Sequence, residues 1–321
     1  MYDSIRLEKG MYHLANKTFT QALETADPSA QYAGTPLEHL DAFERQLKRF
    51  DIHIAGEHCD KVEKFFTTTE SAVLFPEFVR RAVRRGMEET VLPELTAACS
   101  RVNGTVCKGF SIDETDGAYT AVTAEGANLK ITAITEAVSP VTLNKYGRLI
   151  TASYETVRQQ RIDVFAVMLR AVGRKLGNAL GAAALTVLKT AATNTTITAP
   201  LAYSHLTTLY GAFEDYPMTT VIVSPKNVGA ILAMTEMRDR TIDEKGNVRL
   251  PFGAKLIGDS SLDDKTVLGI SKDFALECIM GSDVLLETDQ LINCQLDRIA
   301  VSVRAGFTTL MSGTAAKLTW S

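Results

Sequence analysis

Apolar side chains recur at steps of three and four between Ser153 and Ala192, where Val157, Phe165, Met168, Leu169, Val172, Leu176, Leu180, Ala184 and Leu188 fall on one side. That period predicts a single long helix, roughly 50 to 60 Å at about 1.5 Å per residue. Arg158, Arg161, Arg170, Arg174 and Lys175 decorate its other side. Such charges exclude a membrane span. Gly173, Gly177 and Gly181 repeat every four residues, and each costs about 1 kcal/mol in a helix interior, so the stripe predicts another backbone passing close by, or a bend.

Toward the N-terminus the signal is weaker. Residues 1–36 show no sustained period and are punctuated by Asp27-Pro28-Ser29 and Gly34-Thr35-Pro36, which predicts extended or loop structure without a core. Thr35 as N-cap and Pro36 at the first helical position then open a short amphipathic helix with Leu37, Leu40, Phe43, Leu47 and Phe50 on its stripe. That stripe has two candidate receivers, the chain's own domain or a partner surface. After Pro76 a further helix is expected, with Phe78, Val79, Ala82 and Val83 on one side. Its Arg80, Arg81, Arg84 and Arg85 suit phosphate contact or, the reading favoured here, pairing with Glu77, Glu88 and Glu89.

From residue 102 to 152 the pattern alternates, as in Tyr119-Thr120-Ala121-Val122-Thr123 and Leu129-Lys130-Ile131-Thr132-Ala133-Ile134, broken at Asp116-Gly117 and Glu125-Gly126-Ala127-Asn128. A long hairpin is expected. Its Thr- and Ala-rich strands need another surface to hold them, because a two-stranded ribbon is marginal in water. Between Ser204 and Glu287 helices (Leu206 to Phe213, Pro225 to Met234) alternate with short strands (Thr219 to Val223, Leu256-Ile257, Val267 to Ile270, Leu276 to Ile279), which predicts a compact α/β domain. Strands return after Leu291, with Arg298 to Arg304 alternating and Ala316 to Trp320 ending the chain.

Composition narrows the function classes. The 321 residues are 45% hydrophobic and 22% charged, as in an ordinary globular protein of roughly two domains. The first residues lack the basic flank and apolar stretch of a secretory signal, so export is not expected. A net charge of -4 argues against whole-surface nucleic-acid binding. The five cysteines, Cys59, Cys99, Cys107, Cys278 and Cys294, are odd in number and contain no C-x-x-C, so neither a disulfide framework nor a thiolate zinc site is signalled.

Phosphate-cradling glycine motifs, H-E-x-x-H, G-x-S-x-G and an EF-hand loop do not occur in the sequence. His53, His58 and Cys59 offer soft ligands but read as a polar turn. Asp113-Glu114-Thr115-Asp116-Gly117 offers hard ligands but reads as a hairpin turn. Ser204-His205 reads as an N-cap with its neighbour rather than a nucleophile and base. No catalytic residue, cofactor or metal is expected, and the chain is read as non-enzymatic.

The order of arm, hairpin, one very long helix, α/β insert and final strands resembles the major capsid proteins of tailed bacteriophages, the Hong Kong 97 fold. Phe65-Phe66-Thr67-Thr68-Thr69-Glu70-Ser71-Ala72-Val73-Leu74-Phe75-Pro76-Glu77-Phe78 and Tyr146-Gly147-Arg148-Leu149-Ile150-Thr151-Ala152-Ser153-Tyr154-Glu155 are similar to stretches common in such coat proteins. The resemblance implies an α+β class with an N-terminal arm (1–66), a peripheral domain (67–104, 138–203 and 289–321) carrying a spine helix (153–192), an extended β-hairpin loop (105–137) and an α/β axial domain (204–288). Leu37, Leu40, Phe43, Leu47 and Phe50 of the arm, with Asp116, Gly117, Tyr119, Glu125, Gly126 and Lys130 of the loop, would then touch neighbouring subunits. Lys130 has no matching cross-link partners, so no covalent cross-link is expected.

The implied function is a major capsid protein that self-assembles as pentamers and hexamers into the icosahedral or prolate head of a tailed phage. Partners would be other copies of the chain, a portal protein, a scaffolding protein, a decoration protein and double-stranded DNA held by non-specific contact, with no membrane. The virion would be its location and the bacterial cytoplasm its place of assembly. An encapsulin-like nanocompartment shell and an α/β enzyme are the alternatives.

Overall fold

Reciprocal caps start several helices of the N-terminal third: Thr18 with Gln21, Asp41 with Glu44, and Thr68 with Ser71 each exchange side-chain and backbone hydrogen bonds. The computed structural model describes residues 2–14, 17–113, 133–136, 139–239, 241–244, 246–281, 284–291 and 295–321. They divide into two units, one of residues 1–89, 147–176 and 284–302, the other of residues 90–146, 177–283 and 303–321.

In the first unit the N-terminal residues have a core after all. The helix Phe19–Ala26 buries Phe19, Ala22 and Leu23. Tyr12 stacks on Phe19 with centroids 4.3 Å apart, donates its hydroxyl to the Val73 carbonyl at 2.7 Å and accepts from the Glu77 N–H at 3.0 Å. Burial, then the Glu77 charge, pushes that phenol far above its usual value. The expectation of an arm without a core is therefore corrected. The apolar positions Phe19, Ala22, Leu23 and Ala26, behind the Thr18–Gln21 cap, were the legible signal.

The next helix also starts later than its pattern implies. Residues 36–39 form turns, and the helix is Ala42–Arg49 behind Asp41. The cap decides: Asp41 accepts from the Glu44 N–H at 2.8 Å and Glu44 returns the bond at 2.9 Å. The helix Leu74–Glu88 begins ahead of Pro76, which sits in the first turn where its missing N–H costs nothing, and buries Phe78, Val79 and Val83.

The long helix is broken near its start into Tyr154–Gln159 and Ile162–Ala191. At the break Gln160 is extended, its carbonyl accepts from the Val62 N–H at 2.9 Å, and the Ile162 N–H donates to the Asp60 carbonyl at 2.9 Å. Arg161 bridges Lys61. Backbone pairing thus replaces one turn of helix, an exchange that periodicity cannot reveal. The glycine stripe is partly explained: a Cβ on Gly173 would land on the Val83 carbonyl, and one on Gly86 would land on the Arg170 carbonyl. Strand Leu285–Leu291 pairs antiparallel with Leu296–Ser302.

The second unit is built on a seven-stranded sheet in the order Thr193–Thr196, Ala315–Thr319, Thr266–Ile270, Thr220–Val223, Lys255–Gly258, Val248–Arg249 and Thr241–Ile242. Its central strands are buried throughout, so they read as apolar runs rather than alternations. Helices Tyr203–Gly211 and Pro225–Leu232 contribute Leu206, Leu209 and Ile231 to a core with Val221, Val223, Val267 and Leu318. Ser224 caps the second helix and Pro225 takes its first position.

Strand Leu276–Met280 leaves that sheet. It pairs in parallel with Ala98–Arg101 and antiparallel with the Ala305–Thr309 end of Leu296–Thr309. In this last strand Ile299, Val301, Val303, Ala305 and Phe307 are buried, but Ser302 and Gly306 are buried as well, so the alternation expected over Arg298 to Arg304 holds only in part. Within the stretch expected to form a long hairpin, Val106–Cys107 pairs with Val141–Thr142, and Phe110–Asp113 with Ala133–Glu136, both antiparallel.

Candidate functional site

The arm stripe divides between inside and outside. Phe43 and Leu47 are 1% and 4% exposed and lie in the chain's own core, so they do not form a free docking stripe. The Arg81 guanidinium covers the Phe43 ring at 4.3 Å from its centroid. Leu37, Leu40 and Phe50 are half-buried, Leu37 and Leu40 in the turn before the helix and Phe50 at its end beneath Arg49. Asp116, Gly117, Tyr119, Glu125, Gly126 and Lys130 lie outside the described residues, as does the Asp116-Gly117 turn.

Exposed apolar groups outside the set expected to touch neighbouring subunits are more informative. On the helix Ile162–Ala191, Ile162, Phe165 and Leu169 are buried, whereas Val164, Val167 and Met168 are 47%, 63% and 56% exposed. Their spacing of three and four places them on one face of the helix. Met168 therefore leaves the buried stripe to which its period assigned it. On the paired strands Phe110–Asp113 and Ala133–Glu136, Phe110 and Ile134 are 71% and 69% exposed. They sit diagonally across the ribbon, because Phe110 pairs with Glu136 and Ile112 with Ile134, and residues two apart on a strand share a face.

Charged groups are mostly engaged. The four arginines pair as the favoured reading had it: Arg80 and Arg81 with buried Glu77, Arg84 with Glu88 at 3.0 Å, and Arg85 with Glu89 at 3.7 Å. Arg170 also meets Glu89, at 2.5 Å. In the second unit Glu94 takes Lys255 at 2.7 Å and Lys272 at 3.5 Å. These three groups line a polar depression of about 530 Å³ with Thr219, Thr220, Asp243, Glu244 and Arg249. Burial raises the Glu94 carboxyl, but the Lys255 hydrogen bond and the two ammonium charges outweigh it and hold the group below its usual value.

The candidate chemical groups are spent locally. His53 Nδ1 faces Asp60 at 3.3 Å, and Cys59 Sγ accepts from the Asp163 N–H at 3.4 Å. Ser204 is inside the helix Tyr203–Gly211 rather than at its cap, and the His205 ring nitrogen accepts the Ala202 N–H at 3.2 Å, so the two form no nucleophile and base pair. Among the described residues no three His, Cys, Asp or Glu side chains converge as metal ligands, and no helix is long and apolar enough to cross a membrane.

Residues 135–281, which include the long helix and most of the seven-stranded sheet, match a family described as phage capsid protein. Over that stretch the chain is similar to the phage capsid proteins. Its fold agrees. The capsid of the cyanophage P-SCSP1u is similar at 15% identity and a TM-score of 0.53, over 72% of this chain and 88% of that one. A virus-like particle from Pyrococcus furiosus is similar at 14% identity and 0.53, over 75% and 98%. The capsid of an empty GTA particle is similar at 13% identity and 0.53, over 72% and 89%. No curated protein matches the chain in sequence.

Proposed function

We propose that the chain is the major capsid protein of a tailed phage, closing as pentamers and hexamers into the head that encloses double-stranded DNA. The observation that carries the reading is the family match over residues 135–281. Self-assembly is supported by the solved relatives, one of which is a capsid computed with fivefold symmetry. The exposed row Val164, Val167 and Met168 and the ribbon pair Phe110 and Ile134 supply apolar area that association would bury.

Many modest contacts suit such a shell, because strong single contacts trap misassembled intermediates while weak ones sum through multivalency. Leu37, Leu40 and Phe50, together with the loop residues Asp116, Gly117, Tyr119, Glu125, Gly126 and Lys130, remain proposed contacts between copies. Phe43 and Leu47 support the arm from inside. The net charge of -4 suits a container that holds DNA without gripping it. By the same reading a portal protein, a scaffolding protein and a decoration protein are partners, and assembly takes place in the bacterial cytoplasm before the virion leaves.

The test is electron microscopy of the purified protein, expressed alone and together with the genes that flank its own. Closed shells of uniform size are expected, and phage particles should carry nuclease-protected DNA inside them. A monodisperse monomer under both conditions refutes the reading. Shells filled with a protein cargo and no DNA would favour a nanocompartment instead.

A further inference from the structure

Two cysteines that play no part in the capsid reading are register partners. Cys99 on strand Ala98–Arg101 stands beside Cys278 on the parallel strand Leu276–Met280. Neighbouring strands lie about 4.8 Å apart, inside the roughly 4.4–6.8 Å range of Cα separations that disulfides span. Register partners also project to the same face. The flanking pairs, Ala98 with Glu277 and Ser100 with Ile279, project to the other face, where the Ser100 hydroxyl bonds the Glu277 carboxylate. Cys99 and Cys278 are thus direct ladder neighbours on one face of the paired strands.

Their exposure is unequal. Cys99 is exposed and Cys278 is buried. A hydrogen bond from the Cys278 thiol holds the Cys99 thiol below its usual value against the effect of burial, and the Arg101 charge adds to this. The same bond, with burial and the Cys99 charge, holds the Cys278 proton in place. An accessible thiolate backed by a protonated, buried thiol is the arrangement of an attacking and a resolving cysteine.

We propose that Cys99 and Cys278 form a redox pair that a small-molecule disulfide closes into an intrachain bond, tying strand Ala98–Arg101 to strand Leu276–Met280. The Cys99 thiolate attacks one sulfur of oxidised glutathione, breaking its S–S bond and releasing one glutathione thiolate. The mixed disulfide removes the charge on Cys99 that held the Cys278 proton. Cys278 gives that proton to water, attacks the Cys99 sulfur and expels the second glutathione thiolate. Two protein thiols are oxidised to one disulfide and one glutathione disulfide is reduced to two thiols, so the electrons balance. A reducing cytosol keeps the pair open and an oxidising medium closes it.

The experiment equilibrates the folded full chain with reduced and oxidised glutathione, quenches in acid, alkylates and maps the peptides by mass spectrometry. A peptide linking Cys99 to Cys278 and the loss of two titratable thiols per chain are expected, with Cys59, Cys107 and Cys294 as internal controls. The melting temperature should rise on oxidation and fall back with dithiothreitol. In Cys278→Ser, glutathione should accumulate on Cys99. In Cys99→Ser, which changes only an exposed side chain, Cys278 should stay unmodified and the melting temperature should no longer respond. Wild-type protein that keeps glutathione on Cys99 without forming the link, or that links Cys99 to a different cysteine, overturns the proposal. Shell formation is scored separately, so the pair can fail while the capsid reading stands.

Discussion

Arg45 and Asp27 form an ion pair sealed inside the N-terminal residues, with Nε donating to Oδ2 at 2.6 Å and side chains 0% and 2% exposed. The same guanidinium donates to the Asp27 and Leu40 carbonyls, each at 2.6 Å, and lies over the Tyr32 ring, whose hydroxyl donates to Asp27 at 2.5 Å. Burial, followed by that hydrogen bond, raises the Tyr32 phenol. Arg45→Met leaves a buried carboxylate with only the tyrosine for company, a loss of about 3–5 kcal/mol. Urea unfolding of the unassembled subunit should show it. Arg45→Met combined with Asp27→Leu should recover part of the loss, because the uncompensated charge is then gone. Recovery would separate the cost of the stranded charge from the worth of the pair.

A truncation is expected to behave in line with this. Removing residues 1–36 takes away Phe19, Leu23, Asp27 and Tyr32, and so strips Arg45 of its partner. The shortened chain should unfold at a markedly lower urea concentration than the full chain. A truncated subunit as stable as the full chain would show that these residues are held from outside after all.

Two glycines let two helices of the first unit cross backbone to backbone. Gly86 lies against the Arg170 carbonyl and Gly173 against the Val83 carbonyl, so each helix presents its glycine to the other's backbone. Gly173→Ala should lower the unfolding free energy by about 1–3 kcal/mol, since backbone cannot rotate out of the way as a side chain can. Gly229→Ala is the contrast. Nothing lies within 4 Å of the new methyl in helix Pro225–Leu232, and the gain in helix propensity should raise stability by up to about 1 kcal/mol. Equal effects at the two sites would mean that propensity, not the crossing, governs both.

Long elements of strong period were legible in the sequence. The helix through Leu176, Leu180 and Leu188, the alternating strand at Ile299, Val301 and Val303, and the buried run Thr220–Val223 all form where the pattern put them. What escaped were features decided by one hydrogen bond or one neighbour. Gln160 breaks a helix because Val62 takes its carbonyl, and Asp41 rather than Thr35 starts another because Glu44 completes the cap. Tyr12 finds Val73 and Glu77 across sixty residues of chain, which no local window contains. The surface was hardest to read. Phe43 and Val167 are equally apolar letters, and only tertiary packing makes one core and the other surface.

Glu94 couples stability to acid pH. Its carboxyl lies below the usual 4.5 in the folded protein because Lys255 and Lys272 outweigh burial. A depressed carboxylate contributes stability that is present above the unfolded-state pKa and lost as pH falls through the folded one. The urea midpoint of the wild type should therefore drop as pH falls below about 4.5. Glu94→Gln should start lower at pH 7 and fall less steeply. Some slope should remain, because Asp263, held low by Lys189 despite burial, contributes in the same direction. Parallel pH curves for wild type and variant would remove Glu94 from the acid response.

Val167 tests the surface on which the assembly reading leans. Its side chain is 63% exposed between Val164 and Met168, on the helix face opposite buried Phe165 and Leu169. A carboxylate there stays hydrated in the free subunit, so Val167→Asp should change its unfolding free energy by no more than about 0.5 kcal/mol. Burying that same carboxylate against another copy would cost far more, as an unpaired charge taken out of water. The variant should thus fold with an unchanged circular dichroism spectrum and melting curve, yet fail to close into shells under conditions where the wild type does. Val167→Leu, which keeps the surface apolar, should still assemble. Normal shells from Val167→Asp would show that this face looks into solvent in the particle, and would leave the ribbon residues Phe110 and Ile134 to carry the contact.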